Sequence, residues 1–316
     1  MIVEWHNHVH TPEEAADPIW QGRCPMTIEN VLEQCRKCGV DLCVVSNAMH
    51  HLRGKSRTEA VALLRRWDDY AAGLQESYRG RVVSFATTIP GGGPEIHREL
   101  VRALDQLKLK GVFINSSWEH NYPDEDEAMP FWEIVAERDV PVMIHPPHVG
   151  YGEEKMREYR LASSIGRPAD NCLALARIIV RGILERFPSL KIVGSHIGGG
   201  ICDMIGRMDY AYELQDEAFF LGSYSPMLIK APPSHYLKKM YLDSVCYALP
   251  AAKCALETMG AEHVIYGSDA PPLTSLKPRA IQLVRDLPVD ETDREKIFAG
   301  NALRLLKLSP AQIGGN

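Results

Sequence analysis

No apolar run in this 316-residue chain approaches the roughly 18 residues that a membrane-spanning helix needs. Met1 leads directly into Ile-Val-Glu-Trp-His, with no charged stretch followed by an apolar one, so no secretory leader is expected either. Basic charge is also in short supply. Against 41 acidic residues there are 35 lysines and arginines, a formal net charge of -6, and an isoelectric point of about 6.1 leaves no basic surface for nucleic acid. Proline-, glycine- and serine-rich linkers and blocks of like charge are missing, so nothing divides residues 1–316 into more than a single domain. The eight cysteines are scattered. The one Cys-x-x-Cys pair, Cys35-Arg-Lys-Cys38, closes a predicted helix without a second pair at metal-site spacing. Reduced, buried thiols in a cytoplasmic protein are the expectation.

What remains is a chain that is 45% hydrophobic and patterned as alternating strands and helices. Short apolar runs starting at Met1, Asp41, Arg81, Gly111, Val140, Lys191, Met240 and His263 read as strands. Between them lie stretches with apolar residues at helical spacing, such as Ile28 to Cys38, Thr58 to Tyr78, Pro94 to Leu107 and Asn171 to Phe187. Eight strands, each followed by a helix, predict a single (β/α)8 TIM barrel.

The chemistry in such a barrel sits where the strands end. The first strand runs into His6, His8 and His10, and strict alternation places Glu4, His6 and His8 on one face, opposite Val3, Trp5 and Val9. His145 ends Pro-Val-Met-Ile, His196 ends Ile-Val-Gly-Ser, and Asp269 ends Val-Ile-Tyr-Gly-Ser. One strand-end histidine is more often structural than a ligand. Five nitrogen and oxygen ligand types at strand ends argue for a metal site.

Glu4-x-His-x-His8, Pro141-Val-Met-Ile-His-Pro146, Ile192-Val-Gly-Ser-His-Ile-Gly-Gly-Gly200, Tyr266-Gly-Ser-Asp-Ala-Pro271 and Phe298-Ala-Gly-Asn-Ala-Leu-Arg-Leu-Leu306 together resemble the amidohydrolase superfamily. The resemblance is to its amidohydrolase-related branch, which includes aminocarboxymuconate-semialdehyde decarboxylase, and it runs in order along nearly the whole chain. It implies a barrel of the metal-dependent-hydrolase type. It implies that His6, His8, His145 and Asp269 bind one divalent ion, zinc in the first place and manganese as the alternative, and that His196 and Asp269 are the catalytic pair. Binuclear branches carry a lysine at the end of the fourth strand; here that strand ends Phe113-Ile-Asn115, and Lys108 and Lys110 precede it. Three neutral imidazoles and one carboxylate around a divalent ion leave about one positive charge, which suits an anionic substrate.

Around this set, Arg53, His51, His148 and Arg207 are candidate substrate-binding residues, with Arg57 and Arg167 behind them. A guanidinium clamps a carboxylate bidentately, but a solvated basic loop is the plainer account of Arg53 and Arg57. Relatives recruit an arginine from near the position of Arg207, in some cases across a dimer interface, so a homodimer or higher homo-oligomer is an expectation of the resemblance. Residues 150–168 and 216–233 are long connections and candidates for a lid or insert. Trp118, Tyr122 and Trp132 flank Asp124-Glu-Asp-Glu127, which reads as a solvated loop over packed aromatics. The expected activity is metal-dependent, non-oxidative decarboxylation of a small unsaturated, aromatic or heterocyclic carboxylic acid. A lactone, amide or C–C hydrolase, or a hydratase, is the alternative.

Overall fold

A computed structural model of the chain describes residues 1–18, 25–48, 52–217, 225–271 and 276–314. His51 and part of the 216–233 segment lie outside the described residues. The strands are β1 (Val3–His8), β2 (Leu42–Ser46), β3 (Val82–Ser84), β4 (Ala86–Thr87), β5 (Val112–Asn115), β6 (Pro141–His145), β7 (Lys191–Gly194), β8 (Tyr241–Asp243) and β9 (Val264–Ile265), all pairing parallel. β3 and β4 are two pieces of one barrel strand: the Phe85 amide still bonds to Val45 while Ala86 turns to the Gly111 carbonyl. Closure comes from the first and last strands, through Trp5 to Tyr266, Asp269 to His6 and His8 to Ala270. The result is the eight-stranded TIM barrel that the sequence predicts.

Helices cover the outside: α1 (Ile28–Cys38), α2 (Arg57–Ser77), α3 (Pro94–Asp105), α4 (Met129–Arg138), α5 (Arg167–Val180), α6 (Ile201–Glu213), α7 (Leu249–Met259), α8 (Leu276–Arg285) and α9 (Asn301–Leu306). Local chemistry sets their ends. Thr27 caps α1 and Ser56 caps α2 by accepting from the amides three residues on, and Gly39 leaves α1 in the left-handed conformation. Gly91-Gly-Gly-Pro94 is the turn that starts α3, with Pro94 at its first position. The outward faces of the strands (Val45, Val112, Ile114, Val142, Ile144, Ile192, Leu242) bury against these helices. The inward faces (Leu42, Val44, Phe85, Phe113, Met143, Val193, Ile265) pack with one another and with Ala302, Leu303, Leu305 and Leu306 of α9. That last helix closes the barrel where the strands begin, and beside it Asp139 binds both Lys191 and Lys307. The opposite end is left for chemistry.

β1 departs from the expected alternation. Glu4 pairs with Cys43 and Asn7 with Val45, so two residues, Trp5 and His6, stand opposite the single Val44. This is a β-bulge, which re-aims side chains and is common beside active sites. Val3 and Trp5 therefore lie in the barrel interior, and Glu4 and Asn7 project outward, where Lys277 of α8 binds both. Glu4 does not share a face with His6 and His8.

Candidate metal centre

β1, β6, β7 and β9 bring His6, His8, His145, His196 and Asp269 together at the carboxyl ends of the strands. His8 Nε2 lies 3.1 Å from both His6 Nε2 and Asp269 Oδ1. Asp269 Oδ1 is 3.3 Å from His6 Nε2 and 3.8 Å from His145 Nε2. Ligand atoms of His6, His145, His196 and Asp269 all lie within 4.8 Å of one another. Zinc–nitrogen bonds of about 2.0–2.1 Å in a tetrahedron would separate neighbouring ligand atoms by about 3.3 Å. The donor set thus fits one divalent ion, and the closest spacings involve His8 rather than His196.

Asp243, at the end of β8, was not singled out from sequence. Its Oδ2 accepts from His6 Nδ1 at 2.6 Å, and its Oδ1 accepts from the Val245 amide at 3.0 Å. This holds the His6 ring with Nε2 turned inward, the arrangement that metal-binding histidines use. The available signal was a second strand ending in aspartate, just as β9 leads to Asp269.

The electrostatics of the bare site follow from burial and these contacts. Burial opposes a proton on His6, but Asp243 and Asp269 outweigh it and lift its pKa to about 10. Burial pulls His8, His145 and His196 down, leaving neutral rings with lone pairs to donate. For Asp269, burial favours protonation, yet hydrogen bonds from His145, His6 and His8 hold it well below the usual carboxylate range. A negative oxygen and neutral imidazoles facing one point form a cation site.

His196 and Asp269 share a backbone feature with several residues elsewhere, among them Lys108, Asp139 and Lys307. Both have positive φ, 51° and 61°, a conformation that costs a non-glycine residue energy and is concentrated at functional sites. The strain at His196 belongs to a left-handed run through Gly200. A Cβ on Gly199 would sit 1.9 Å from the Pro168 carbonyl oxygen, so only glycine lets this loop pack on the start of α5.

The other sequence candidates fare differently. Arg53 is exposed and pairs with Glu153 at 3.2 Å. Arg207 is exposed on α6 and is not brought to the cluster. His148 is partly buried; burial and then the charges of Arg53 and Arg167 lower its pKa. Arg167, at the start of α5, has its pKa lowered by partial burial, an effect that the charge of Asp269 opposes. Among the described residues it has no ion-pair partner. His97, His120 and His263 bond to backbone carbonyls of Pro90, Gly150 and Met240 and are structural. The acidic loop is only partly solvated, because Asp124 is buried against Arg177 at 2.6 Å.

The sequence profile of the Amidohydrolase family matches residues 8–308. The chain belongs to that family. A 2-amino-3-carboxymuconate-6-semialdehyde decarboxylase of Dictyostelium discoideum is 31% identical to this amidohydrolase over 215 residues, 67% of this chain and 57% of the relative. The match therefore spans little more than half of that protein. A gamma-resorcylate decarboxylase of Polaromonas sp. is 25% identical over 272 residues, covering 80% of this chain and 78% of its own. Among solved structures, a 5-carboxyvanillate decarboxylase of Novosphingobium aromaticivorans complexed with manganese and 4-hydroxy-3-methoxy-5-nitrobenzoic acid superimposes with a TM-score of 0.87 at 22% identity, covering 98% of this chain and 96% of that one. That likeness establishes the barrel fold of the amidohydrolase described here. β5 of this amidohydrolase ends in Asn115, with no lysine where a second ion would need one. Among the described residues, no helix is long and apolar enough to cross a membrane.

Proposed function

We propose that this amidohydrolase is a metal-dependent, non-oxidative decarboxylase of a small aromatic or unsaturated carboxylic acid. The observation that carries the reading is the largely buried grouping of His6, His145, His196 and Asp269, with His8 in contact with His6 and Asp269, in a chain whose relatives in the same family are decarboxylases. Zinc is the first choice of ion because the donors are mostly imidazoles, and manganese is the alternative because a solved neighbour holds it.

When bound, a divalent ion supplies Lewis acidity and a fixed positive charge. The protein's own groups do the rest. Asp243 fixes the ring of His6, and the neutral rings of His8 and His145 face the same point. Arg167, which has no ion-pair partner among the described residues and whose guanidinium interacts with the charge of Asp269, is the arginine we assign to the substrate's carboxylate, as a planar fork that binds two oxygens at once. Loss of carbon dioxide leaves an electron pair on carbon that must receive a proton. His196 and Asp269 are the groups within reach to deliver it, and their constrained backbone holds them there. Arg53 is exposed and already paired with Glu153, so the carboxylate of the substrate is assigned to Arg167 in its place. Arg207 reaches a site only from a second copy of the chain; a monomer in sedimentation would remove it from the scheme.

The decisive experiment runs the purified, metal-loaded protein with a panel of aromatic and muconate-type acids in water carrying deuterium and oxygen-18. The expected result is bicarbonate release, with deuterium on the carbon that lost it. Oxygen-18 in a new carboxylate without bicarbonate would instead establish the hydrolase alternative.

A further inference from the structure

The cluster draws its ligands from β1, β6, β7 and β9 and takes none from the β4–β5 side of the barrel mouth. On that side, among the loops that follow β4 and β5, lies a cavity of about 240 Å³ lined by Ile89, Asn115, Trp118, Tyr122, Glu125 and Glu127 among others. A cavity of about 150 Å³ already admits a benzene ring, so a substituted ring edge fits here. Asn115 joins the two sides. It pairs in register with His145, and two residues before it Phe113 packs against the rings of both His8 and His145.

The wall has a definite chemical character. Asn115 is 8% exposed, and its buried side-chain oxygen has no hydrogen-bond partner. A buried amide oxygen without a partner is costly unless a ligand group completes it. The Tyr122 hydroxyl is already committed to Asp170 at 2.6 Å, so the cavity meets its ring rather than its oxygen. Oε1 of half-buried Glu125 accepts from the Tyr122 amide at 3.3 Å, leaving its second oxygen to accept from a ligand. Lysine and arginine do not line the cavity among the described residues. The guanidinium of Arg177 lies over the Tyr122 ring, 5.1 Å from its centroid, and is neutralised by Asp124 at 2.6 Å. Aromatic walls, two carboxylates and an uncommitted amide suit a ring bearing a neutral hydrogen-bond donor and repel a second anion.

We infer that this cavity is the specificity subsite of the metal centre: it takes the edge of the substrate remote from the reacting carboxylate, and selects there for a hydroxyl or amino group against a second carboxylate. The inference rests on the reading of the cluster as the site that binds a carboxylic acid. It narrows the substrate class to ring monoacids carrying a donor group.

The test measures, by calorimetry on metal-loaded protein, the affinities of 3- and 4-hydroxybenzoate and 3- and 4-aminobenzoate against isophthalate and terephthalate, alongside bicarbonate release. The expected result is a preference of about tenfold or more for the donor-bearing monoacids. Glu125→Gln keeps an acceptor for the Tyr122 amide and should narrow that gap by improving the diacids. Asn115→Ala should weaken the hydroxy and amino acids while leaving unsubstituted benzoate unchanged. Diacids that bind as well as the monoacids, a gap that Glu125→Gln leaves intact, or a panel that does not bind at all would each overturn the subsite. If the preference and its response to Glu125→Gln hold but neither the panel nor muconate-type acids release bicarbonate, the subsite stands and the decarboxylase reading falls.

Discussion

His196 and His145 lie in one cluster, with ring centroids 5.1 Å apart, yet they carry different expectations. His145 Nε2 faces Asp269 Oδ1, whereas His196 enters only the looser 4.8 Å grouping. His145→Ala should therefore lose both the ion and the activity. His196→Ala should keep the ion while turnover drops by about 10²- to 10⁴-fold, the usual contribution of a general acid or base. Metal content measured beside turnover checks this, and an ion lost equally from both variants would make His196 a ligand. Asp243→Asn tests the residue that sequence reading passed over. An amide still fits the space but no longer favours the tautomer that turns His6 Nε2 inward, so affinity for the ion should fall about 10- to 100-fold in a chelator competition. Unchanged affinity would reduce Asp243 to a packing residue.

At the scale of elements, the bulge in β1 depends on an outer-layer contact. Lys277 of α8 is fully buried and binds both Glu4 and Asn7, the two residues that bracket Trp5 and His6. Removing one partner of a buried ion pair strands the other. Lys277→Met should cost about 3–5 kcal/mol in denaturant unfolding, and adding Glu4→Gln should recover much of it. A cost below about 1 kcal/mol would show that the pair does not hold this wall. Between α2 and β4, Asp68 is fully buried, and its Oδ1 accepts from the Thr87 amide at 3.3 Å. Burial, and then the negative charge of Glu99, raise its pKa well above the ordinary carboxylate value. With the folded value raised, stability is fully present below the unfolded pKa of about 4 and is lost as pH rises toward the folded one. Asp68→Asn retains an acceptor and removes that loss, so its stability relative to wild type should grow between pH 4 and pH 7. Parallel unfolding curves at the two pH values, with a constant difference, would contradict it.

For the whole molecule, an ion held by His6, His8, His145 and Asp269 would tie the first strand to the last. His6 and His8 begin the chain, Asp269 follows β9, and without a cation that closure rests on backbone bonds and a protonated His6. A ligand that binds only the folded state stabilises it by about 2.7 kcal/mol at a hundredfold excess over its dissociation constant. Chelation should lower the melting temperature, and about one equivalent of zinc or manganese per chain should restore it. A melting temperature indifferent to chelation, in protein shown to have held one ion per chain, would contradict this coupling, and two ions per chain would overturn the single-ion site.

The sequence by itself determined the barrel, because short apolar strands alternating with amphipathic helices have few other ways to bury their faces. It also determined which strand ends bring polar side chains to one point, since His145, His196 and Asp269 each close an otherwise apolar run where no packing requirement asks for a polar group. Only the tertiary structure decided how the first strand presents its histidines. Period-two alternation cannot register an extra residue, and it took the pairing of Glu4 with Cys43 and of Asn7 with Val45 to turn Trp5 and His6 inward together. Asp243 and Asn115 stayed hidden for the same reason. Their surroundings depend on a partner 237 residues away for Asp243 and on a neighbouring strand for Asn115, and no local spacing encodes such distances.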